Sequence, residues 1–417
     1  MTAFAYYRLP CEQHATYVAQ HVGEPEILSS VAQLNGREGF VIAPFQPSAE
    51  CPVVLIHPDE KRVILLTGEN FEGDLGEKNS DGGQNGGLKD ENGGLKGNGK
   101  LEEKDGYVRD FGCFHRQLQK GEFRKIVLAR RSVQTTRLSA EALFAKACRM
   151  YPRLFVALVC SEASGMWLMA TPEVLLNGRA GEYHTMSLAG TQKAPMISLC
   201  PIPHEATEGL EWPQKDQEEQ QYVTDYIEAC IRTFSDDYRL QGPYTMTAAH
   251  LCHLRTDIHF RLPCADVLGD VLEALYPTPA VCGIPKEPAR RFILRHEHEP
   301  RRYYSGFVGM LSPRADTHLF VSLRCMRLLP GGICELYAGG GLLKESEMEK
   351  EWRETEAKMR PSIFPVYSKT RRARASPSFA ASYISLEVIF SMLRSSEGSL
   401  VASSHSRAVR AIPIAEQ

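Results

Sequence analysis

Two acidic segments carry carboxylates at a spacing that suits a metal ion. Asp216 and Glu219 are three residues apart on one predicted helix, and Glu351 and Glu354 have the same spacing on another. Residues three apart lie on one face of a helix. If the two faces met, they would form a set of oxygen ligands of the kind that Mg²⁺ prefers. Two solvated helix surfaces are the alternative, and the spacing alone favours that alternative.

Two ionisable residues interrupt apolar strands and could transfer protons. Lys125 opens the run KIVLARR (125–131), and Glu173 lies within ATPEVLL (170–176). A desolvated lysine gives up its proton more readily and can act as a general base, whereas a buried carboxyl stays protonated and can act as a general acid. The alternative for both residues is a side chain at a strand end that reaches solvent.

A glycine run and the cysteines argue against two other kinds of site. The run AGGGLLK (338–344) lacks the G-x-x-x-x-G-K-[ST] pattern of a phosphate loop, so its glycines indicate a tight turn or a close approach of the backbone to a ligand. The 12 cysteines include no C-x-x-C pair, and no second ligand pair follows Cys252 and His253. We therefore expect free thiols in a reducing cytoplasm and no zinc site.

The elements that position these residues are predicted from hydrophobic periodicity, which indicates one large α+β unit. Short apolar or alternating runs predict strands at 52–58, 62–68, 125–131, 154–160, 166–176, 250–260, 306–311, 317–329 and 331–342. Apolar residues at helical spacing predict helices at 107–119, 139–150, 214–235 and 345–360.

Composition divides the chain into four parts. Residues 1–70 form an amino-terminal part of the fold, and residues 107–364 form its main body. Between them, 71–106 is rich in Gly, Asn, Lys and Asp and repeats NGGLK, so we expect a disordered insertion that cannot bury enough apolar surface to fold. After these, 365–417 is rich in Ser and weakly periodic, and we expect a poorly ordered tail.

Charge and hydropathy limit the partners of the chain. The 417 residues are 43% hydrophobic and carry a net charge of −3, so no basic excess indicates a nucleic-acid partner. The longest apolar stretch, 379–393, contains Glu387 and is too short to span a bilayer, and no signal peptide is evident at the amino terminus. We expect a cytoplasmic monomer that acts on a small molecule, without a nucleic-acid or membrane partner.

The order and wording of ten motifs resemble the chorismate-utilising enzymes over about residues 107–361. The motifs are KIVLARR (125–131), ATPEVLL (170–176), SLAGTQ (187–192), KDQEEQ (215–220), HLRT (253–256), YPTPAVCGIPKEPA (276–289), RRYYSGFVG (301–309), SLRC (322–325), YAGGGL (337–342) and EKEWRETEAKM (349–359). The resemblance implies a single chorismate-binding domain, in which β-sheets pack together and helices flank them.

The resemblance also implies a role for each candidate residue. Lys125 would activate water for attack at C2 of chorismate, and Glu173 would protonate the departing C4 hydroxyl. Glu219 and Glu354 would bind Mg²⁺, with Asp216 and Glu351 as their partners. The implied substrate-binding residues are Gly190, Thr191, His253, Tyr304, Arg324, Gly339 and Lys358; of these, Tyr304 and Arg324 would hold a carboxylate and His253 would lie near the ring.

Two positions discriminate between branches of the family. Anthranilate synthases carry Gln where this chain has Lys125, and aminodeoxychorismate synthases carry a nucleophilic lysine where it has Ala189. The resemblance therefore implies water addition, which is the reaction of isochorismate synthases in menaquinone or siderophore biosynthesis. Salicylate synthases share both features and stay open, as does a non-catalytic chorismate-binding descendant. The chain departs from the family pattern at Gln192, Gln214 and Tyr276.

Overall fold

The described part of the chain builds two antiparallel β-sheets of nine strands each. The structure, a computed structural model, describes residues 3–66, 98–193, 211–248 and 251–359. In spatial order the first sheet contains β14 (Gly283–Ile284), β7 (Lys125–Thr135), β18 (Ile333–Leu342), β17 (Cys325–Leu329), β9 (Gly165–Thr171), β8 (Phe155–Ser161), β1 (Ala3–Arg8), β2 (His14–Gln20) and β6 (Glu60–Leu65). The second contains β12 (Tyr238–Ala248), β13 (Leu251–Arg261), β11 (Glu182–Lys193), β10 (Val174–Arg179), β16 (Asp316–Val321), β15 (Phe307–Leu311), β4 (Gly39–Ala43), β5 (Val53–Ile56) and β3 (Glu26–Leu28).

The two sheets pack face to face over a shared apolar core. Alternate side chains of each strand point to one face of a sheet, and the inward-facing set here is aromatic and β-branched. Phe155 of the first sheet stacks on Phe320 of the second, with ring centroids 4.1 Å apart. The same core contains Tyr7, Phe40, Trp167 and Tyr337. Burial of this apolar area holds the sheets together and gives the cavity described below a rigid frame.

Six helices flank the sheets in the described residues: α1 (Asn98–Gln119), α2 (Ala140–Met150), α3 (Gln214–Ile231), α4 (Leu268–Leu275), α5 (Lys286–His296) and α6 (Met348–Lys358). Helix α2, whose first turn is capped by the Ser139 hydroxyl, covers the outer face of the first sheet. Helices α3 and α4 cover the second sheet. Helices α1, α5 and α6 pack over β7 and β18. The expected α+β class, with packed sheets flanked by helices, is confirmed.

Two predicted strands were wrong because each is divided between the two sheets. The run 166–176 becomes β9 and β10, separated at Pro172, and the run 317–329 becomes β16 and β17, separated at 322–324. Proline cannot donate to a sheet ladder, and Arg324 has a left-handed φ of 44°, so neither run continues straight. As a result, Glu173 and Arg324 lie where the chain crosses from one sheet to the other.

The predicted insertion at 71–106 extends too far, because α1 already begins at Asn98. Residues 71–97 and the predicted tail at 365–417 lie outside the described residues, so both remain predictions. Periodicity also missed β11 and β12 and the short helices α4 and α5. Within the described ranges, no helix is long and apolar enough to cross a membrane, and the cysteines are free thiols.

Candidate active site

A cavity of about 300 Å³ lies between the sheets, α3 and α6. Its wall contains twelve predicted site residues: Lys125, Glu173, Gly190, Asp216, Glu219, His253, Tyr304, Arg324, Gly339, Glu351, Glu354 and Lys358. Thr191 lies in β11, but its side chain is outside the described part of the chain. Elements that are distant in sequence therefore bring the predicted residues together, although their roles remain predictions.

Lys125 enters the cavity from the first residue of β7. Its side chain is only 1% exposed, and its Nζ lies 2.7 Å from Oε1 of Glu219 on α3. Strand β18 lies next to β7 in the sheet, and its Gly341 pairs with Val127 of β7. A Cβ at Gly341 would lie 2.8 Å from Cε of Lys125 and 2.9 Å from Oε1 of Glu219. A larger residue at 341 would therefore displace the ends of these two side chains from their present positions.

Glu173 lies at the crossing between β9 and β10 and is 3% exposed. The Thr278 hydroxyl donates to its Oε1 at 3.3 Å. Burial raises the pKa of Glu173 to about 7, while the positive charge of Lys125 and the Thr278 hydrogen bond hold it below a still higher value. A substantial fraction of this carboxyl is therefore protonated at neutral pH, as a proton donor requires.

The four acidic residues line the cavity from α3 and α6, although their spacing alone favoured two solvated helix surfaces. A Cβ at Gly340 would lie 3.3 Å from Oε2 of Glu351 and 3.9 Å from Oε1 of Glu354, so these carboxylates lie against the same glycine strand as Glu219. Burial raises the pKa of Asp216 and of Glu351, and the negative charges of Glu219 and Glu354 respectively raise them further. A crowded, oxygen-only donor set beside a glycine cradle fits Mg²⁺ in its chemistry.

The four carboxylates do not converge on one point. Among the described residues, no three His, Cys, Asp or Glu side chains converge closely enough to hold a metal ion. Lys358 lies 2.7 Å from Oε1 of Glu354 and also donates to the Gly339 carbonyl at 2.9 Å. The Lys358 charge is the main reason that the pKa of Glu354 is lowered. Glu354 thus pairs with a lysine, as Glu219 does.

One wall of the cavity combines an arginine without an ion-pair partner in the described residues with neutral polar groups. Arg324 has no ion-pair partner among the residues that the structure describes, and burial lowers its pKa. A half-buried guanidinium without a counter-charge favours an anionic ligand. The side-chain hydroxyl of Tyr304 lies 2.9 Å from the position that a Cβ at Gly339 would take, so that glycine makes room for it.

His253 contributes a hydrogen-bond acceptor to the cavity. Its Nδ1 lies 2.8 Å from the Gly190 carbonyl, which can only accept, so Nδ1 carries the hydrogen. Burial lowers the pKa of His253 to about 4, and the ring is therefore neutral. Its Nε2 is buried and has no partner in the described residues. A ligand hydroxyl could donate to this nitrogen.

Sequence reasoning missed two residues that support the site. Thr278 lies within a quoted motif, but nothing in the sequence connects its hydroxyl with Glu173. Arg130 of β7 is buried and holds α6, the helix that carries Glu351 and Glu354. Its guanidinium lies 3.9 Å from the ring centroid of Trp352, and it donates to Thr355 at 2.8 Å and to Glu356 at 2.5 Å. The sequence signal was only that Arg130 follows the apolar run of β7.

The departures from the family pattern lie away from the cavity wall. Gln192 donates to the Glu211 carbonyl at 3.2 Å, and Gln214 donates to Glu218 at 2.8 Å. Tyr276 is buried, packs edge-on against Phe307 and donates to the carbonyl of Pro44. Their substitution therefore leaves the lining of the cavity intact.

Sequence comparison relates the chain to known proteins. A sequence model described as chorismate binding enzyme matches residues 90–363. Isochorismate synthase MenF of Escherichia coli is 31% identical over 265 residues, which cover 61% of this chain and 59% of that protein. Salicylate biosynthesis isochorismate synthase of Pseudomonas aeruginosa is also 31% identical, over 63% of this chain and 55% of its own length. The chain thus spans little more than half the length of these curated relatives.

Solved structures share the fold. A DhbC isochorismate synthase from Bacillus anthracis superposes with a TM-score of 0.67 at 19% identity, covering 86% of this chain and 94% of that chain. The menaquinone-specific isochorismate synthase MenF from Escherichia coli gives a TM-score of 0.66 at 22% identity, with 87% and 88% covered. Anthranilate synthase component I from Streptococcus pneumoniae gives 0.61 at 15% identity, with 84% and 92% covered. At these identities the likeness shows the fold alone.

Proposed function

Because the chain belongs to the chorismate-binding enzyme family, we propose that it converts chorismate to isochorismate by adding water at C2 and expelling the C4 hydroxyl. One observation carries the proposal: a buried lysine and a buried carboxyl with a pKa of about 7, Lys125 in β7 and Glu173 at the crossing between β9 and β10, face the same cavity. Water addition needs a base at one ring position and an acid at another. A glutamine at 125 would supply no base.

The proton transfers follow from these two residues. Lys125, as the neutral amine, takes a proton from a water molecule while the water oxygen bonds to C2. The ring double bond shifts, the C4–oxygen bond breaks, and Glu173 gives its proton to the departing hydroxyl, which leaves as water. One water enters and one leaves, so the product is an isomer of the substrate. After the reaction, the Lys125 ammonium group loses its proton to solvent and the Glu173 carboxylate regains one from solvent.

The remaining side chains bind and orient the substrate. Chorismate carries two carboxylates, and the uncompensated Arg324 guanidinium with the Tyr304 hydroxyl would take one of them. Neutral His253 would accept a hydrogen bond through Nε2 rather than compete for the proton. Glu219 and Glu354, assisted by Asp216 and Glu351, would hold Mg²⁺. When bound, this ion would neutralise and orient the ring carboxylate.

Conversion in H₂¹⁸O tests the reaction type. Protein, chorismate and Mg²⁺ should give isochorismate that carries one ¹⁸O atom, because the new C2 oxygen comes from solvent. A parallel reaction with excess EDTA should give no product. Unlabelled isochorismate would exclude water addition. Release of pyruvate together with salicylate would instead support the salicylate synthase alternative, and the absence of any product would support a non-catalytic binding protein.

A further inference from the structure

Two lysines form ion pairs with the carboxylates that are proposed to bind Mg²⁺ most directly. Lys125 contacts Oε1 of Glu219 at 2.7 Å, and Lys358 contacts Oε1 of Glu354 at the same distance. The lysines come from different elements, β7 and α6, yet each is paired with one of the two principal ligands. Asp216 has no ion-pair partner among the described residues, so the lysines do not neutralise the acidic cluster indiscriminately.

These ion pairs account for a site whose carboxylates lie near one another without converging. Four carboxylates in one buried cavity repel each other, and two ammonium groups relieve much of that repulsion. A carboxylate oxygen that holds an ammonium group at 2.7 Å cannot take a metal ion at the same position. Metal and lysine therefore compete for Glu219, and a second metal–lysine competition takes place at Glu354.

We propose that Lys125 and Lys358 hold Glu219 and Glu354 in the metal-free protein and that Mg²⁺ displaces both ammonium groups when it binds. The inference rests on the proposed metal site and adds an order of assembly to it. Lys125 becomes free to act on water only when the metal has taken its carboxylate partner. Lys358, released from Glu354, becomes available to an anionic substrate. Loading of the metal and freeing of the base are thus one event.

Thermodynamic linkage between each lysine and the metal ion makes the proposal measurable. If each lysine competes with the metal, then removing the lysine must tighten metal binding by the same coupling free energy. Titration calorimetry of the full chain with Mg²⁺, without substrate, should show that Lys125→Met and Lys358→Met each bind at least about tenfold more tightly than the wild type, which lies within the usual range of such couplings.

Lys350→Met is the matched control. Lys350 lies on α6 and lines the same cavity, but it is 72% exposed and pairs with Glu347, which is not a proposed ligand. Its loss removes the same charge and should change Mg²⁺ affinity by less than about twofold, since exposed charges are well screened. Equal tightening in all three variants would reduce the effect to general electrostatics and overturn the proposal.

A second measurement uses the wild-type protein and does not depend on how a variant folds. Reductive methylation followed by mass spectrometry should label Lys125 and Lys358 faster with saturating Mg²⁺ than without it, while labelling of Lys350 stays the same. Unchanged or slower labelling of both residues overturns the proposal, as does a wild-type protein that binds no Mg²⁺. If the affinities and labelling shift as expected but chorismate is not converted, the proposed reaction fails and the competition stands.

Discussion

At the scale of single residues, the account depends on two buried groups that must hold opposite protonation states. Lys125 must be a neutral amine when it meets water, and Glu173 must carry a proton when C4 loses its oxygen. Burial raises the pKa of Glu173 to about 7, which meets that requirement. Lys125 is paired with Glu219 in the structure, and under the proposed competition it is free to act on water only after Mg²⁺ has bound Glu219. On this account the acid is in place without the metal ion, whereas the base becomes available only when Mg²⁺ binds.

Replacing Lys125 by glutamine removes the proposed base and keeps a polar side chain of similar length. Isochorismate formation should fall by at least about a hundredfold, the lower end of what a general base contributes. Chorismate should still bind, because Arg324 and Tyr304 are untouched. Steady-state rates and equilibrium binding of chorismate measure the two effects separately. A Lys125→Gln protein that forms isochorismate at nearly the wild-type rate would remove Lys125 from the mechanism.

Thr278 should set the alkaline limb of the pH–rate profile. Glu173 acts as an acid, so activity is present below its pKa and is lost as the pH rises through it, at about 7 in the wild type. The Thr278 hydroxyl stabilises the carboxylate and lowers this pKa. Thr278→Val should therefore move the alkaline limb to higher pH, and Thr278→Ser should restore it. A limb that stays in place, or moves down, would show that Thr278 does not act on Glu173.

Motifs at this scale identified the chemical groups but not all of their contacts. Lys125 and Glu173 were recognisable because a charged residue in an apolar strand is unusual. Thr278 was not, since a threonine hydroxyl gives no pattern until the fold brings it to a residue 105 positions away. The pairing of Lys125 with Glu219 was hidden for the same reason, whereas Lys358 lies four residues after Glu354 on one helix, a spacing that the sequence shows.

At the scale of elements, interruptions of the strands position two residues of the cavity wall. Glu173 and Arg324 occupy the points where β9 passes to β10 and β16 to β17, and each crossing joins the two sheets. Periodicity predicted two uninterrupted strands, because a run of apolar residues has the same pattern whether its halves lie in one sheet or in two. The sequence could therefore place these residues on strands but could not show that both lie at a crossing.

Arg130 should control the metal site through helix α6. It stacks on Trp352 and donates to Thr355 and Glu356 of α6, the helix that also carries Glu351 and Glu354. In Arg130→Met these contacts are lost, and the Mg²⁺ concentration for half-maximal activity should rise about ten- to hundredfold, as for other groups that orient ligands. Direct Mg²⁺ titration of the variant should show the same weakening without substrate.

Arg131→Met is the control for Arg130. The neighbouring side chain points to the other face of β7 and pairs with Glu335 and Glu299 instead of α6. Its loss should lower the melting temperature without shifting the Mg²⁺ requirement. Equal shifts in both variants would attribute the Arg130 effect to general loosening of β7.

At the scale of the whole molecule, two packed sheets form the frame. The sequence predicted its α+β class but not the order of its strands. Antiparallel pairing between distant segments, such as β1 with β8, leaves no signal in a single sequence. The boundary of the predicted insertion was misplaced for a related reason. Gly and charged residues at 98–106 look like the segment before them, yet α1 includes them, and within this stretch Lys104 pairs with Glu349 of α6.

Deletion of the Gly/Asn-rich segment should respect that boundary. Replacing 72–97 by a short Gly–Ser linker should leave stability and turnover near normal, because loop length costs little closure entropy. Extending the replacement to 105 removes Lys104, which pairs with Glu349 at 2.9 Å, and Glu103, which lies 3.5 Å from Arg130. That longer replacement should lower the melting temperature. Equal melting temperatures for the two deletions would mean that the start of α1 contributes nothing to the fold.

The measurement that tests the account most directly is product identification from the wild-type protein. Purified full chain is incubated with chorismate and Mg²⁺, the mixture is separated by chromatography, and pyruvate is assayed in parallel. The account predicts isochorismate as the product, without stoichiometric pyruvate, and no conversion once Mg²⁺ is removed by EDTA. Chorismate recovered unchanged in the presence of Mg²⁺, or conversion that is unaffected by EDTA, would contradict it.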